Sequence, residues 1–282
     1  MKIFISISLM AIMLIPFTLI AQDFNGIATY KTQRKLDIQL DSTQINGEMQ
    51  SQMMAMLKKQ FEKEYTLNFT KDESIYKVVE KLEDPGSGGA SGIQIVVAGM
   101  GTSDILYKNV KEGYFATQTD LFGKIFLVKD KIAPSEWVMG KETKNIGEYT
   151  CFKATYQRKV TIESAFSSQR GARNDSISDT AEERDQTIIA WYTLQIPVKH
   201  GPGQYGGLPG LVLEATDGSE TILCSKIVLN PKEGVKIVEP TKGKEVTQEK
   251  YDTIMEKKMK EMNDQRDGRR GDGNSFEIRI GG

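Results

Sequence analysis

Apolar and polar side chains alternate along most of this chain with the period of two that a half-buried β-strand imposes. The alternation is clearest where Tyr65, Leu67 and Phe69 interleave with Thr66, Asn68 and Thr70. It predicts further strands over residues 25–31, 74–81, 93–98, 104–110, 113–119, 124–129, 149–160, 187–196, 211–216, 220–229 and 235–239. Lys71, Asp72 and Glu73 form the turn between the second and third of these runs, and Asp217-Gly218 marks a short hairpin, since that pair accepts the positive φ of a primed turn. Short strands that follow one another through turn residues assemble as antiparallel meanders. The expected fold class is therefore mainly β (α+β): a curved antiparallel sheet, a half-barrel being one form of it, with one or two packed helices.

Helical periodicity is confined to two stretches. Over 46–63, Met49, Met53, Met56, Leu57 and Phe61 recur at three- and four-residue spacings; such a stripe suits the core face of an amphipathic helix better than an adaptable contact surface. Over 247–262, Thr247 caps a helix whose stripe is Tyr251, Ile254, Met255, Met259 and Met262. Residues 84–92, rich in Gly, Ser and Pro, and 167–185, polar and charged, read as loops. Residues 264–282 form a tail whose Phe276, Ile278 and Ile280 alternate as a short terminal strand would. The main domain then spans 22–263.

The first 20 residues change the picture of where this domain works. Lys2 precedes an almost wholly apolar run over 3–20, and polarity returns at Gln22 and Asp23. This is the pattern of a secretory signal cleaved after Ala21 rather than of a membrane anchor, and no later run is apolar for long enough to span a bilayer. The expected product is an exported protein: periplasmic, outer-membrane-associated or secreted. Without Lys2 it carries 36 basic side chains (37 less one) against 38 acidic ones, which gives no footing to a nucleic-acid partner. Cys151 and Cys224 both fall in predicted strands; an oxidising compartment permits a bridge between them, and two separate buried thiols on neighbouring strands are the alternative.

The chemistry these residues can support is narrow. His200 is the sole histidine and lies among turn-forming residues, where it reads as a surface side chain and not as the held base that Ser-His or Cys-His catalysis requires. With one histidine and two distant cysteines, no zinc site is expected, and no glycine cluster has the spacing of a phosphate or dinucleotide cradle. No cofactor is expected. A pair of carboxylates remains open as hydrolytic machinery, though no spacing singles one out.

Between residues 190 and 214 the backbone demands are unusual. Five glycines (Gly201, Gly203, Gly206, Gly207, Gly210) and three prolines (Pro197, Pro202, Pro209) are interleaved with Trp191, Tyr192, Tyr205, Leu208 and Leu211. Pro209-Gly210 suits a type II turn, with the glycine at positive φ. One reading is a rigid connection whose rings plug the end of the sheet. The other is a shaped rim, formed by Trp191, Tyr192, Pro197, Gly201, Pro202, Tyr205, Gly207, Leu208, Pro209, Gly210 and Leu211, that binds a ligand.

Gly207, Leu208, Pro209, Gly210, Leu211 and Val212 resemble the signature of the GLPGLI family of exported Bacteroidetes proteins, with Val212 in place of the final Ile. The order of Trp191, Tyr192, Pro197, Gly201, Pro202 and Tyr205, the run from Tyr149 to Ala154, and Pro240 with Gly243 extend the resemblance over most of the mature chain. It implies an envelope location and a β-rich fold and brings no catalytic residues. The functional expectation is thus a non-enzymatic binding module for a hydrophobic or peptide ligand (a lipid, a peptide or an envelope partner). The alternatives are a carboxylate-dependent hydrolase and a structural or assembly component of the envelope.

Overall fold

A computed structural model of the chain describes residues 24–35, 62–79, 104–162 and 182–267. The proposed signal peptide, residues 46–61 of the Met-rich helix predicted over 46–63, the predicted strand over 93–98 and the terminal strand over 276–280 lie outside the described residues; residues 62 and 63 are not helical.

Among the described residues twelve strands follow in chain order: β1 (Gly26–Arg34), β2 (Glu64–Phe69), β3 (Glu73–Val78), β4 (Ile105–Asn109), β5 (Tyr114–Leu121), β6 (Lys124–Lys131), β7 (Val138–Ile146), β8 (Tyr149–Ile162), β9 (Glu182–Thr193), β10 (Leu211–Thr216), β11 (Glu220–Leu229) and β12 (Lys244–Val246). One helix, α1 (Gln248–Asp267), closes the described chain. All strands belong to a single sheet in the order β12-β6-β5-β4-β3-β2-β1-β11-β10-β9-β8-β7. Every neighbouring pair is antiparallel except β12 with β6. The fold is therefore mainly β, as the alternation of side chains predicts.

The sheet is bent into a trough, and two hydrogen bonds measure the bend. Lys108 Nζ on β4 donates to the carbonyl of Gly203 at 2.8 Å, and Trp137 Nε1, one residue ahead of β7, donates to the carbonyl of Gly206 at 2.9 Å. In a flat sheet β4 and β7 would stand eight spacings, about 38 Å, apart. Gly203 and Gly206 are three residues apart and can be separated by at most about 11 Å. The strands must therefore wrap around the segment 194–210, which lies in the concavity.

Alternation sets which side chains line that concavity. Ala28 and Tyr30 on β1, Leu67 and Phe69 on β2, Ile188 and Ala190 on β9, and Ala215 on β10 are all wholly buried there. The connection contributes Ile196, Val198, Tyr205 and Leu208 to the same core. At the other end of the trough, Tyr251, Ile254 and Met255 of α1 pack on Leu121, Phe126, Val128 and Val246. Thr247 caps α1, its hydroxyl accepting from the Lys250 amide, and Asp130 accepts from the Gln248 amide.

Three expectations need correction. Residues 235–239 form no strand; their extended backbone crosses the convex face, where Ile237 packs on Tyr107, Ala116 and Leu127, and Glu239 accepts from Tyr114 and Lys129. Gly210 does not take positive φ; Gly207 does, at 86°. Gly210 is required for space, because a Cβ there would stand 1.9 Å from the Thr193 carbonyl oxygen. At the β10–β11 hairpin only Gly218 adopts positive φ, and the Asp217 carboxylate stabilises the turn by accepting from the amides of Ser219 and Glu220.

Candidate functional site

The Gly-Pro connection is held by its own backbone and by the strands beneath it. The amides of Val198 and Leu211 both donate to the Ile196 carbonyl, and those of Gly207 and Val212 donate to the carbonyls of Lys199 and His200. Tyr30, wholly buried on β1, donates its hydroxyl to the Val212 carbonyl at 2.7 Å. Of the residues expected to form a rim, Tyr192, Gly201, Pro202, Tyr205, Leu208, Gly210 and Leu211 are buried and Trp191 is half-buried. Pro197, Gly207 and Pro209 are exposed. The segment plugs one end of the trough.

His200 is not a surface histidine; it is wholly buried. Neither ring nitrogen makes a hydrogen bond. Burial above all, and then the Lys108 ammonium, push its pKa down to about 3; the nearby backbone of Thr70 and Lys71 opposes this only weakly. Lys108 is itself lowered to about 8 by burial. Ser74 stands opposite Lys108 in the β3–β4 register, and its buried hydroxyl has no partner. The local turn signals conceal this polar chamber, because the groups that act on His200 come from β4 and from the turn between β2 and β3.

Cys151 and Cys224 are buried free thiols. They lie on β8 and β11, with β9 and β10 between, so they are not on adjacent strands. Burial raises Cys151 to about 11 and Cys224 to about 12, with the charge of Cys151 contributing to the latter. Nucleophilic thiolate chemistry is disfavoured at such values.

Between the plug and α1 the concave floor stays open. A hollow of about 240 Å³ is lined there by residues from β11, β1, β2, β3, β4 and β5, together with Gly203 of the connection. None of the eleven motif residues lines it. Its floor is a stacked pair of tyrosines, Tyr65 and Tyr76, with ring centroids 4.8 Å apart and planes within 7°. Tyr65 stands opposite Val78 and Tyr76 opposite Leu67, so the β2–β3 register sets the stack. Tyr76 lines the hollow but is only 7% exposed, and its hydroxyl is buried without a partner.

Two carboxylates flank the tyrosines. Glu220, at the start of β11, is half-buried; burial raises its pKa, with Asp217 adding to the shift and Arg34 and Lys63 opposing it. Asp104, just before β4 and exposed on its outer side, is also raised by crowding against the wall, with Asp120 adding to the shift, while its hydrogen bond with Thr119 and the charge of Lys63 oppose it. Neither carboxylate perturbs the other, so they are not a close pair. Among the described residues no group of three His, Cys, Asp or Glu side chains could hold a metal ion. Sequence patterning places Tyr65 in a strand but contains no signal that Tyr76, Asp104 and Glu220 meet it, since that depends on register across four strands.

Residues 137–214 match the model of a family described as a protein of unknown function (Porph_ging). No curated protein matches the chain. Two solved structures of PNGF-II are similar to it at 17% identity, in the C2 space group with a TM-score of 0.46 and in the P21 space group with 0.44. The match covers 83% of this chain and 33% of PNGF-II, so the chain spans about a third of that protein's length. A likeness this distant transfers no chemistry.

Proposed function

We propose that this is an exported, non-enzymatic binding module of the GLPGLI type, which holds a peptide or other elongated ligand in the hollow of its curved sheet. The single observation that carries the reading is the Tyr65–Tyr76 stack on the floor of the open hollow. Flat ring faces in a concavity suit ligand binding, since they offer apolar contact area. The signal-like N-terminus supports the exported address. No helix among the described residues is long and apolar enough to cross a membrane.

Carboxylate-dependent hydrolysis is the weaker reading. A general acid and its partner act across about 5–9.5 Å, whereas Asp104 and Glu220 are set on strands four positions apart and do not influence each other's ionisation. An assembly role has one observation in its favour. Among the described residues β7 is an edge, bonded to β8 alone, with Val138 and Met139 exposed; such an edge can accept a partner strand.

Native mass spectrometry of the protein purified from its own envelope tests the proposal. A bound small molecule or peptide that is lost in a Tyr65→Ala, Tyr76→Ala double variant, with the fold retained by circular dichroism, is the expected result. Retention of the same adduct by that variant would place the ligand elsewhere and refute the proposal.

A further inference from the structure

The β5–β6 turn carries a residue that its backbone does not suit. Leu121 and Lys124 stand opposite each other in the ladder, so Phe122 and Gly123 make a two-residue loop, and both have positive φ, 53° and 79°. Positive φ at both central positions is the type I′ geometry, for which Asn-Gly is the ordinary choice. A bulky side chain there is strained. The other non-glycine residue with positive φ among the described residues is Asn230, a type that tolerates it. The core does not hold the Phe122 ring in place, since 48% of its surface is exposed. A strained residue that shows its ring at a projecting turn points to a use outside the fold. The neighbours narrow that use. Ile125 is 43% exposed, and Lys124 beside it is exposed as well. β12 runs along this end of β6, with Lys244 opposite Phe126. Gly243 permits the close approach, because a Cβ there would stand 2.7 Å from the Phe126 carbonyl carbon. Lys242 and Lys244, on either side of Gly243, are both exposed. The acidic residues of these two stretches are engaged elsewhere: Asp120 accepts from the Gly123 amide at 2.8 Å, and Glu245 acts on Lys129.

We propose that this turn is a membrane-surface contact, in which Phe122 and Ile125 enter the interface of an anionic bilayer and Lys124, Lys242 and Lys244 meet its lipid headgroups. Apolar side chains at a tip gain by leaving water for the headgroup boundary, and lysines beside them lay their stems on apolar surface while keeping the ammonium wet. Each lysine near an anionic surface strengthens binding about fivefold. A specific protein partner takes about 20–30 residues a side, far more than two apolar side chains and three lysines offer. A bilayer demands no matching shape, and a projecting turn can reach it.

The test sediments the chain from residue 22, which lacks the apolar leader, with vesicles of phosphatidylcholine alone and of phosphatidylcholine mixed equally with phosphatidylglycerol. The native chain is expected to bind the mixed vesicles in preference to the neutral ones. Phe122→Asn should lower that partition about fivefold, the size of half a ring returned to water, while Phe122→Trp, which keeps an aromatic tip, preserves it. Lys242→Gln with Lys244→Gln should lower it about twentyfold and remove most of the preference for the anionic lipid. Asparagine suits the turn better than phenylalanine does, so lost binding in Phe122→Asn is not lost folding, and circular dichroism checks each variant. A native chain that stays in solution with both vesicles overturns the proposal and leaves the turn to a protein partner. Equal binding to both vesicles, or undiminished binding by Phe122→Asn or by the double lysine variant, overturns it as well.

Discussion

Acidification should destabilise this protein through one residue, and the effect can be worked from the structure. His200 is wholly buried, makes no hydrogen bond and shares its chamber with Lys108, which together bring its pKa to about 3. In the unfolded chain the imidazole titrates near 6.5. Between those values the unfolded state binds a proton that the folded state refuses, so stability is complete above about pH 6.5 and falls as the pH drops towards 3. Each unit costs about 1.4 kcal/mol, which is about 2.7 kcal/mol by pH 4.5 and about 5 kcal/mol in all. Against a typical domain stability of about 5–15 kcal/mol this is a large share. The assay is urea unfolding of the untagged protein from pH 7.5 to 4.5, with His200→Phe as the comparison. The variant removes the titrating group and the two orphaned nitrogens, and carboxylates that titrate in both proteins cancel in the difference. The difference in unfolding free energy should change by about 2.7 kcal/mol over that range. Because the chain has a single histidine, its Hε1 resonance supplies a test that does not require the variant to fold. A native-state inflection of that resonance above pH 5, or parallel stability curves for the two proteins, would refute the argument.

Two further substitutions probe backbone constraints. Gly210→Ala would drive a methyl group against the Thr193 carbonyl, 1.9 Å from its Cβ position, and should cost about 3 kcal/mol or more, read as a lowered urea midpoint. Phe122 sits at φ 53° in the β5–β6 turn with nearly half its surface exposed. Phe122→Asn relieves a left-handed bulky residue and should raise stability by about 1 kcal/mol, seen as a higher Tm; a lower Tm would show that the ring's contacts outweigh the strain.

How far the fold was legible follows from where side chains point. Strands with one buried face, such as β1 and β2, show their period directly, and β4, β10 and β11 fall close to the ranges the alternation predicts. β7 escaped because seven of its nine residues are exposed, so no alternation exists to read. β12 is three residues long and parallel to β6, a pairing imposed from outside the segment. Residues 235–239 alternate well but lie across the strands, because Ile237 and Glu239 are held by side chains of β4, β5 and β6. The first four residues of β9 read as part of a charged loop; they pair with the far end of β8.

The hollow was less legible than the strands that build it, and the reason lies in what the Gly-Pro segment does. Its composition draws attention as a possible rim, yet its rings and leucines are buried, and its glycines permit the contacts that hold it inside the trough. A Cβ at Gly201 would stand 2.2 Å from the Tyr205 carbonyl oxygen, and one at Gly206 would stand 3.0 Å from that of Lys199. The segment thus fixes how far the concavity is filled. α1 bounds the opposite end, where Tyr251 hydrogen-bonds with Thr119 beside Asp104. What lies between these two plugs is floor that neither covers, and the side chains presented there are those that the β11-β1-β2-β3-β4 register happens to aim inward. A motif of this kind marks the site's boundary, while the residues that would touch a ligand are spread over Thr32, Tyr65, Tyr76, Asp104 and Glu220, each unremarkable in its own stretch of sequence. Substitutions in the motif should therefore act on binding through the depth of the hollow, and substitutions in the floor through direct contact.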